Sequence, residues 1–486
     1  ELVDAVASAR REAASAFGDG TVFLEKFVES PPRHIEVQIF GDRYGTVVHL
    51  GERECSIQRR YQKIIEEAPS TAVDETLRDE LGRSAVAAGK ALAYEGAGTV
   101  EFVMAPDGSF YFLEVNTRLQ VEHPPVTELV TGIDLVRAQL QVAAGEPLPP
   151  EMIDTAPRGH AIEVRLYAED VAAGFIPVSG TLTTLEFPEF DGIRVDAGFT
   201  SGSRVSTFYD PMLAKVIGYG ATRDEACARV ARALTETKIH GVTTNRDLLV
   251  AILREPEFRR GAIDTGYLER HDPPAQLMAG IGTQDAVATH ALMAAVAAQA
   301  DRRARTPVLP GLPSGWRTLP SQDQMVSYVC GEDTLEVRYR FSHGTLSASV
   351  GDWHPHIRII SAADTLVDAE VDGVRRRYHV TRSGSAHHVD SSLGTSTLTE
   401  AERFPDPSAM QEAGSLLAPM PGSVVRIEVG QGAEVAAGAA IVVLEAMKME
   451  HTVRAPVDGV VATISVAAGD QVESGQVLAV VSDGQS

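Results

Sequence analysis

Three things are scarce in this 486-residue chain. Cysteine is the first: Cys55, Cys227 and Cys330 share no paired spacing. So sparse and odd a set excludes a disulfide framework and fits reduced thiols in the cytoplasm. Basic residues are the second, with 43 Lys and Arg against 67 Asp and Glu, a net charge of −24. That balance excludes the basic face a nucleic-acid binder needs. It suits a protein that holds small anions in local basic pockets. Long apolar runs are the third. The most apolar helix-like segment, residues 286–300, is interrupted by His290 and Gln299, so no membrane span is expected. No signal peptide is recognisable. Glu1 stands first, inside a helical pattern over residues 2–16, which reads as a sequence that opens in mid-domain.

Residues 1–275 mix strand and helix signals, as in α/β or α+β folds. An Ala-rich stretch at 283–303 reads as one helix. Pro307, Pro310, Pro313 and Pro320, with Gly311 and Gly315, then mark an irregular crossing. From 325 to 400, short alternating runs are punctuated by His343-Gly344, Asp372-Gly373 and Ser383-Gly384, which are hairpin signals. A second break covers 404–415, and the rest is short Val/Ile strands with glycine turns.

That last part repeats. A shift of 37 carries Gly422, Val424, Ile427, Val429, Gly432, Val435 and Gly438 onto Gly459, Val461, Ile464, Val466, Gly469, Val472 and Gly475. Two such halves predict a small flattened β-barrel with approximate two-fold symmetry. The segment that joins them, EAMKME at 445–450, predicts a tight turn with Lys448 near its tip. A lysine there offers a flexible stem and an amine that a carboxylic-acid cofactor can acylate. The plain alternative is a solvated surface lysine, but methionines on both sides are odd for a plain turn and useful for recognition. AMKM at 446–449 resembles the biotinylation motif of biotin carboxyl carrier domains, and it lacks the Asp-Lys-Ala of lipoyl domains. The resemblance implies biotin on Lys448, attached by a biotin protein ligase.

A second informative segment lies upstream. GTVEFVM at 98–104 and FYFLEVN at 110–116 read as strands joined by a two-residue Asp107-Gly108 turn. That register puts Glu101 opposite Glu114, with Cβ atoms about 5 Å apart. Two such like charges ask for a divalent cation, and Asn116 on the same face adds an amide oxygen. Continued alternation sends Glu114, Asn116, Arg118, Gln120 and Glu122 to one side. That row makes an active-site floor; the plainer reading is an exposed polar edge with ordinary ion pairs.

EVNTRLQVEH at 114–123 is similar to the signature of biotin carboxylases in the ATP-grasp superfamily. RECSIQRR at 53–60, QKIIEEAP at 62–69, GHAIEVR at 159–165 with AED at 168–170, and YDPM at 209–212 match in the same order. The family forms carboxyphosphate from ATP and bicarbonate and carboxylates biotin with the CO2 released. The resemblance implies that Glu101, Glu114 and Asn116 hold Mg²⁺ or Mn²⁺ against the ATP phosphates. It implies that Lys63 and Arg118 grip bicarbonate, with Gln120 and the backbone of Val121 completing the pocket. Glu122 would be the base. Arg165 would steady the developing charge on biotin; otherwise it is a structural Arg paired with Glu163 or Glu169. Glu25, Lys26 and Val28 resemble the hinge that meets adenine, and His34 and Gln58 look like ribose or phosphate contacts.

The sequence departs from the family in places. Tyr61 stands where His or Asn is usual, and Pro31-Pro32 and Pro124-Pro125 each carry an extra residue. No glycine-rich phosphate loop precedes Glu25. The expectation is therefore a multidomain α+β chain that does not carboxylate biotin unaided. Residues 1–29 would be the end of an ATP-grasp lid and 30–275 the ATP-grasp and C-terminal carboxylase body. Residues 280–400 would be a helix-plus-β-barrel linking domain of the acyl-CoA carboxylase kind, 401–416 a linker, and 417–484 the biotinyl barrel. The family implies a hetero-oligomer, with a carboxyltransferase β subunit acting on acetyl-, propionyl- or methylcrotonyl-CoA. Two other readings are a non-catalytic biotin carrier and assembly module, and a subunit of another biotin enzyme such as a pyruvate carboxylase.

Overall fold

The computed structural model describes residues 2–25, 27–29, 31–59, 62–122, 126–153, 155–271, 284–308, 316, 318, 322–331, 333–342, 345–402, 415–446, 449–473 and 475–482. The helical pattern at the start forms a helix, Leu2–Phe17. The front body is built on strands β1 (Arg33–Gly41), β2 (Val47–Arg59), β3 (Gln62–Ala68), β4 (Gly96–Met104), β5 (Phe110–Asn116) and β6 (His160–Tyr167). With Ile193–Ala197 and Met212–Gly220 they form one antiparallel eight-stranded sheet. From one edge its order is Ile193–Ala197, Met212–Gly220, β6, β3, β2, β1, β4, β5.

Alternation along β1 explains why both faces are covered. Ile35, Val37 and Ile39 join a core with Leu81 and Ala85 of the helix Glu75–Ala91. Asp74 caps that helix, accepting from Leu77 N at 2.8 Å. The alternate residues His34, Glu36 and Gln38 point the other way and are buried as well. The helix Arg223–Glu236, capped by Thr222, packs Ala226, Cys227 and Val230 beneath Ile162 and Val164 of β6.

The β4–β5 hairpin differs from the expected two-residue turn. Ala105 N donates to Ser109 O at 2.8 Å, so the loop is Pro106-Asp107-Gly108, with Gly108 left-handed at φ +84°. Pairing therefore starts at Met104↔Phe110, one position away from the expected register. An irregularity then passes over Leu113 and restores Glu101↔Glu114 and Thr99↔Asn116. The facing carboxylates were expected correctly, but a bulge rather than the turn puts them there. β5 also ends at Asn116, so Arg118, Gln120 and Glu122 do not continue an extended strand.

In the middle of the chain, eight strands from Gln324–Cys330 to Gly394–Glu400 make one antiparallel sheet wrapped around the helix Gln284–Arg305. Ala291, Leu292, Met293, Ala294 and Val296 are buried all along this helix, as a helix inside a barrel requires. Asp372-Gly373 is the expected tight turn, closed by Val371↔Val374 with both central residues at positive φ. The Ser383 turn is displaced by one residue, because Ser383 pairs with Ala386. Residues 343–344 lie outside the described residues.

The C-terminal repeat is borne out strand by strand. Gly422–Ile427, Glu434–Val435 and Ala440–Ala446 recur as Gly459–Ile464, Gln471–Val472 and Val477–Ser482. With Ser415–Leu417 and Met449–Arg454 they form two four-stranded sheets over a core of Val424, Ile441, Leu444, Val461 and Leu478. The strands Ala440–Ala446 and Met449–Arg454 pair up to Ala446↔Met449. Lys448 lies outside the described residues.

Candidate active site

Across four adjacent strands, one row of residues runs Arg53 (β2), Glu36 (β1), Glu101 (β4), Glu114 (β5). Three acids in a row need positive charge, and a buried Arg and a partly buried Lys provide it. Arg53 Nη2 lies 3.2 Å from Glu36 Oε2, and Lys63 Nζ touches Glu36 Oε1. Lys63 also lies 2.8 Å from Glu122 Oε1 and 3.4 Å from Glu101 Oε1. Burial opposes the charge on Lys63, but Glu36 and its fellow acids raise its pKa and keep it an ammonium.

Glu101 is the most heavily coordinated acid. It is 2.7 Å from His34 Nε2 and accepts from Asn116 Nδ2 at 2.7 Å and Gln120 Nε2 at 3.1 Å. Burial pushes its carboxyl up, yet the His34 hydrogen bond and the Lys63 charge outweigh it and bring the pKa down to about 2. Asn116 Nδ2 also donates to Glu114 Oε1 at 3.0 Å, so it bridges the two facing carboxylates. Glu114 itself is exposed. Two carboxylates and one amide make a hard oxygen donor set that fits Mg²⁺ or Mn²⁺ once the amide turns its oxygen inward. Cys55 is wholly buried, and burial with the Glu36 charge pushes its thiol well up, so it is no nucleophile.

Glu122 reaches this centre from the turn after β5. It stands between Lys63 at 2.8 Å and Arg165 Nη2 at 3.1 Å. Arg165 projects from β6, and its Nε donates to Glu66 Oε1 at 2.6 Å. The expected structural partners of Arg165 are thus replaced: Glu169 pairs with Arg59 at 2.6 Å. Lys215 Nζ donates to the carbonyl of Val121 at 2.9 Å and meets Asp196 at 3.1 Å.

Other expected residues stand apart. Arg118 is exposed and donates to the Leu119 carbonyl at 3.2 Å, because the chain has left the strand that would have aimed it inward. Gln58 pairs with Lys63 across β2 and β3. Glu25 is exposed in irregular chain and Val28 is partly covered; Lys26 and Tyr61 lie outside the described residues. Sequence reasoning missed Arg53, Glu36, Glu66, Glu163 and Lys215. One signal was available: His34, Glu36 and Gln38 alternate with Ile35, Val37 and Ile39, too polar for a core and too apolar for a solvent face.

This carboxylate-and-cation centre on an antiparallel sheet belongs to the ATP-grasp biotin carboxylase class. Four family models match successive parts of the chain. Residues 1–151 match the carbamoyl-phosphate synthase L chain ATP-binding domain, and 163–270 the biotin carboxylase C-terminal domain. Residues 286–403 match the BT domain of methylcrotonyl-CoA carboxylase α subunits, and 414–481 the biotin-requiring enzyme family. The mitochondrial methylcrotonoyl-CoA carboxylase subunit alpha of Dictyostelium discoideum is 36% identical over 471 residues, covering 93% of this chain and 67% of the relative. The propionyl-CoA carboxylase alpha chain of Ruegeria pomeroyi is 37% identical over 483 residues, covering 92% and 69%. Among solved structures, the biotin carboxylase domain of Hydrogenobacter thermophilus 2-oxoglutarate carboxylase, with MgADP and bicarbonate, matches with a TM-score of 0.55 and 42% identity. That match covers 57% of this chain and 60% of the other. The chain belongs to the family of biotin-dependent acyl-CoA carboxylase α subunits, ATP-dependent ligases that combine biotin carboxylase and biotin carrier domains. It spans about two thirds of the length of those α subunits and 60% of the solved chain. No helix among the described residues is long and apolar enough to cross a membrane.

Proposed function

We propose that this chain takes part, though not unaided, in the ATP- and bicarbonate-dependent carboxylation of biotin borne on Lys448. A separate carboxyltransferase β subunit then passes the carboxyl group to acetyl-, propionyl- or methylcrotonyl-CoA. The observation that carries the reading is Glu122 held between Lys63 at 2.8 Å and Arg165 at 3.1 Å. A carboxylate so placed can accept the proton of bicarbonate while the two cations hold the anion beside it. Gln120 and the Val121 backbone line the same turn, and Arg118 swings in from solvent to complete the anion grip. Arg165 presents its outer nitrogen to the biotin ring, its inner edge being fixed by Glu66.

Glu101, Glu114 and Asn116 would hold Mg²⁺ or Mn²⁺, which neutralises charge on the ATP phosphates. His34 steadies Glu101, and Gln58 lies on the nucleotide side, with Glu25, Lys26 and Val28 as the adenine hinge. In this reading residues 1–29 complete a lid, 30–275 form the carboxylase body and 280–400 dock the β subunit. Residues 401–416 give reach, and 417–484 deliver biotin. The three free cysteines support a reducing compartment such as the cytoplasm.

The test uses the complete enzyme, produced with a biotin protein ligase and assembled with its carboxyltransferase partner. Intact mass is expected to rise by one biotin, and Lys448→Arg is expected to abolish the increase. Labelled bicarbonate is then expected to enter the wild-type carrier only with ATP and Mg²⁺. Biotin at a different position, or label entering without ATP, would refute the proposal.

A further inference from the structure

Behind Arg165, two acids face each other with too little positive charge to answer them. Glu66 on β3 and Glu163 on β6 are cross-strand partners, so their Cβ atoms stand about 5 Å apart. Neither has any exposed surface. Glu66 Oε1 accepts from Arg165 Nε at 2.6 Å, but Glu66 Oε2 and both Glu163 oxygens accept from no donor among the described residues.

The charged groups around the pair are few. Arg165 lies on β6 itself and is shared between Glu66 and Glu122. Lys63 comes from β3 and is taken by Glu36 and Glu122. Lys215, from Met212–Gly220, is paired with Asp196. Glu128, on the short helix Glu128–Thr131 over Ala161, is turned to Arg194 at 3.0 Å. Among the described residues no cation hydrogen-bonds to Glu163, and the nearby ones, Arg165 and Lys215, are engaged by other acids. An ionised carboxylate buried without a donor is strongly disfavoured, whereas a protonated one gains a donor of its own.

We propose that Glu66 and Glu163 hold a single proton between them and act as a positioning pair for Arg165. The Glu163 hydroxyl donates to Glu66 Oε2, which satisfies the open oxygen. The pair then carries one negative charge, enough to fix the inner edge of the guanidinium. A doubly ionised pair would draw Arg165 inward, away from Glu122. The consequence for biotin rests on the function proposed above; the shared proton does not. Burial, and for Glu163 the charge of Glu66, push both carboxyls upward, in the direction the geometry requires.

The test is infrared difference spectroscopy of the full biotinylated chain in D2O, which reads the carbonyl stretch of a protonated carboxyl. Wild type minus Glu163→Gln is expected to show that band at neutral pH, since the glutamine amide keeps the hydrogen bond to Glu66 but removes the acid. Absence of the band overturns the proposal. If Glu163→Gln does not fold, ¹³C-carboxyl glutamate labelling of wild type decides. Two resonances that titrate together above the ordinary carboxylate range support the shared proton; all resonances at the ionised position at neutral pH refute it. Neither readout depends on turnover, so failure of carboxylation would tell against the function alone.

Discussion

Arg53 and Glu36 are cross-strand partners, both without exposed surface, and their ion pair spans 3.2 Å. Arg53 also donates to Gln38 at 3.1 Å and Thr127 at 3.0 Å from one nitrogen, and to Thr99 at 3.2 Å from the other. It is the floor on which the acidic row rests. Removing one member of a buried pair leaves the other uncompensated. Arg53→Met is therefore expected to cost about 3–5 kcal/mol in urea unfolding. A loss below about 1 kcal/mol, the size of one neutral hydrogen bond, would show that Lys63 alone neutralises Glu36.

Glu122→Gln keeps the shape of the site but cannot accept a proton. Bicarbonate-dependent ATP hydrolysis by the assembled enzyme is expected to fall roughly a hundredfold or more. Phosphate release checks it, and a loss under tenfold would remove Glu122 from the role of base.

His34 supports Glu101 at 2.7 Å, the position of a residue that orients a metal ligand. With His34→Ala, the Mg²⁺ concentration needed for ADP binding is expected to rise roughly ten- to a hundredfold. Calorimetric titration distinguishes the alternatives. Unchanged Mg²⁺ affinity with weaker nucleotide binding would make His34 a nucleotide contact instead.

His290 sits in the helix inside the middle barrel, 2.7 Å from both Ser396 and Ser391. Burial pulls its imidazole from 6.5 down to about 4. The folded state therefore favours neutral His290. Its contribution is complete above the unfolded value of 6.5 and is lost as pH falls toward the folded value of about 4. At 1.36 kcal/mol per pK unit the full loss is roughly 3 kcal/mol. The stability advantage of wild type over His290→Gln is expected to shrink over that window in pH-dependent thermal unfolding. A constant difference would mean that His290 does not titrate there.

The amino-acid sequence alone determined the domain classes, because each rests on local patterning. The 37-residue repeat became two four-stranded sheets, and the Ala-rich stretch became a buried helix. Glu101 facing Glu114 followed from the hairpin pattern, although the turn differs, and the roles of Lys63, Glu122 and Arg165 came from the resemblance to biotin carboxylases; the structure brings these three together. Tertiary structure decided which partners close the site. The loop at Pro106-Asp107-Gly108 and the bulge at Leu113 compensate each other, which no local rule reveals. Arg53, Glu66 and Glu163 come from strands far apart in the chain, and their partners exist only once the eight-stranded sheet forms. Buried charge is balanced by proximity in space, so the pairing that positions Arg165 is a property of sheet order rather than of any contiguous stretch of residues.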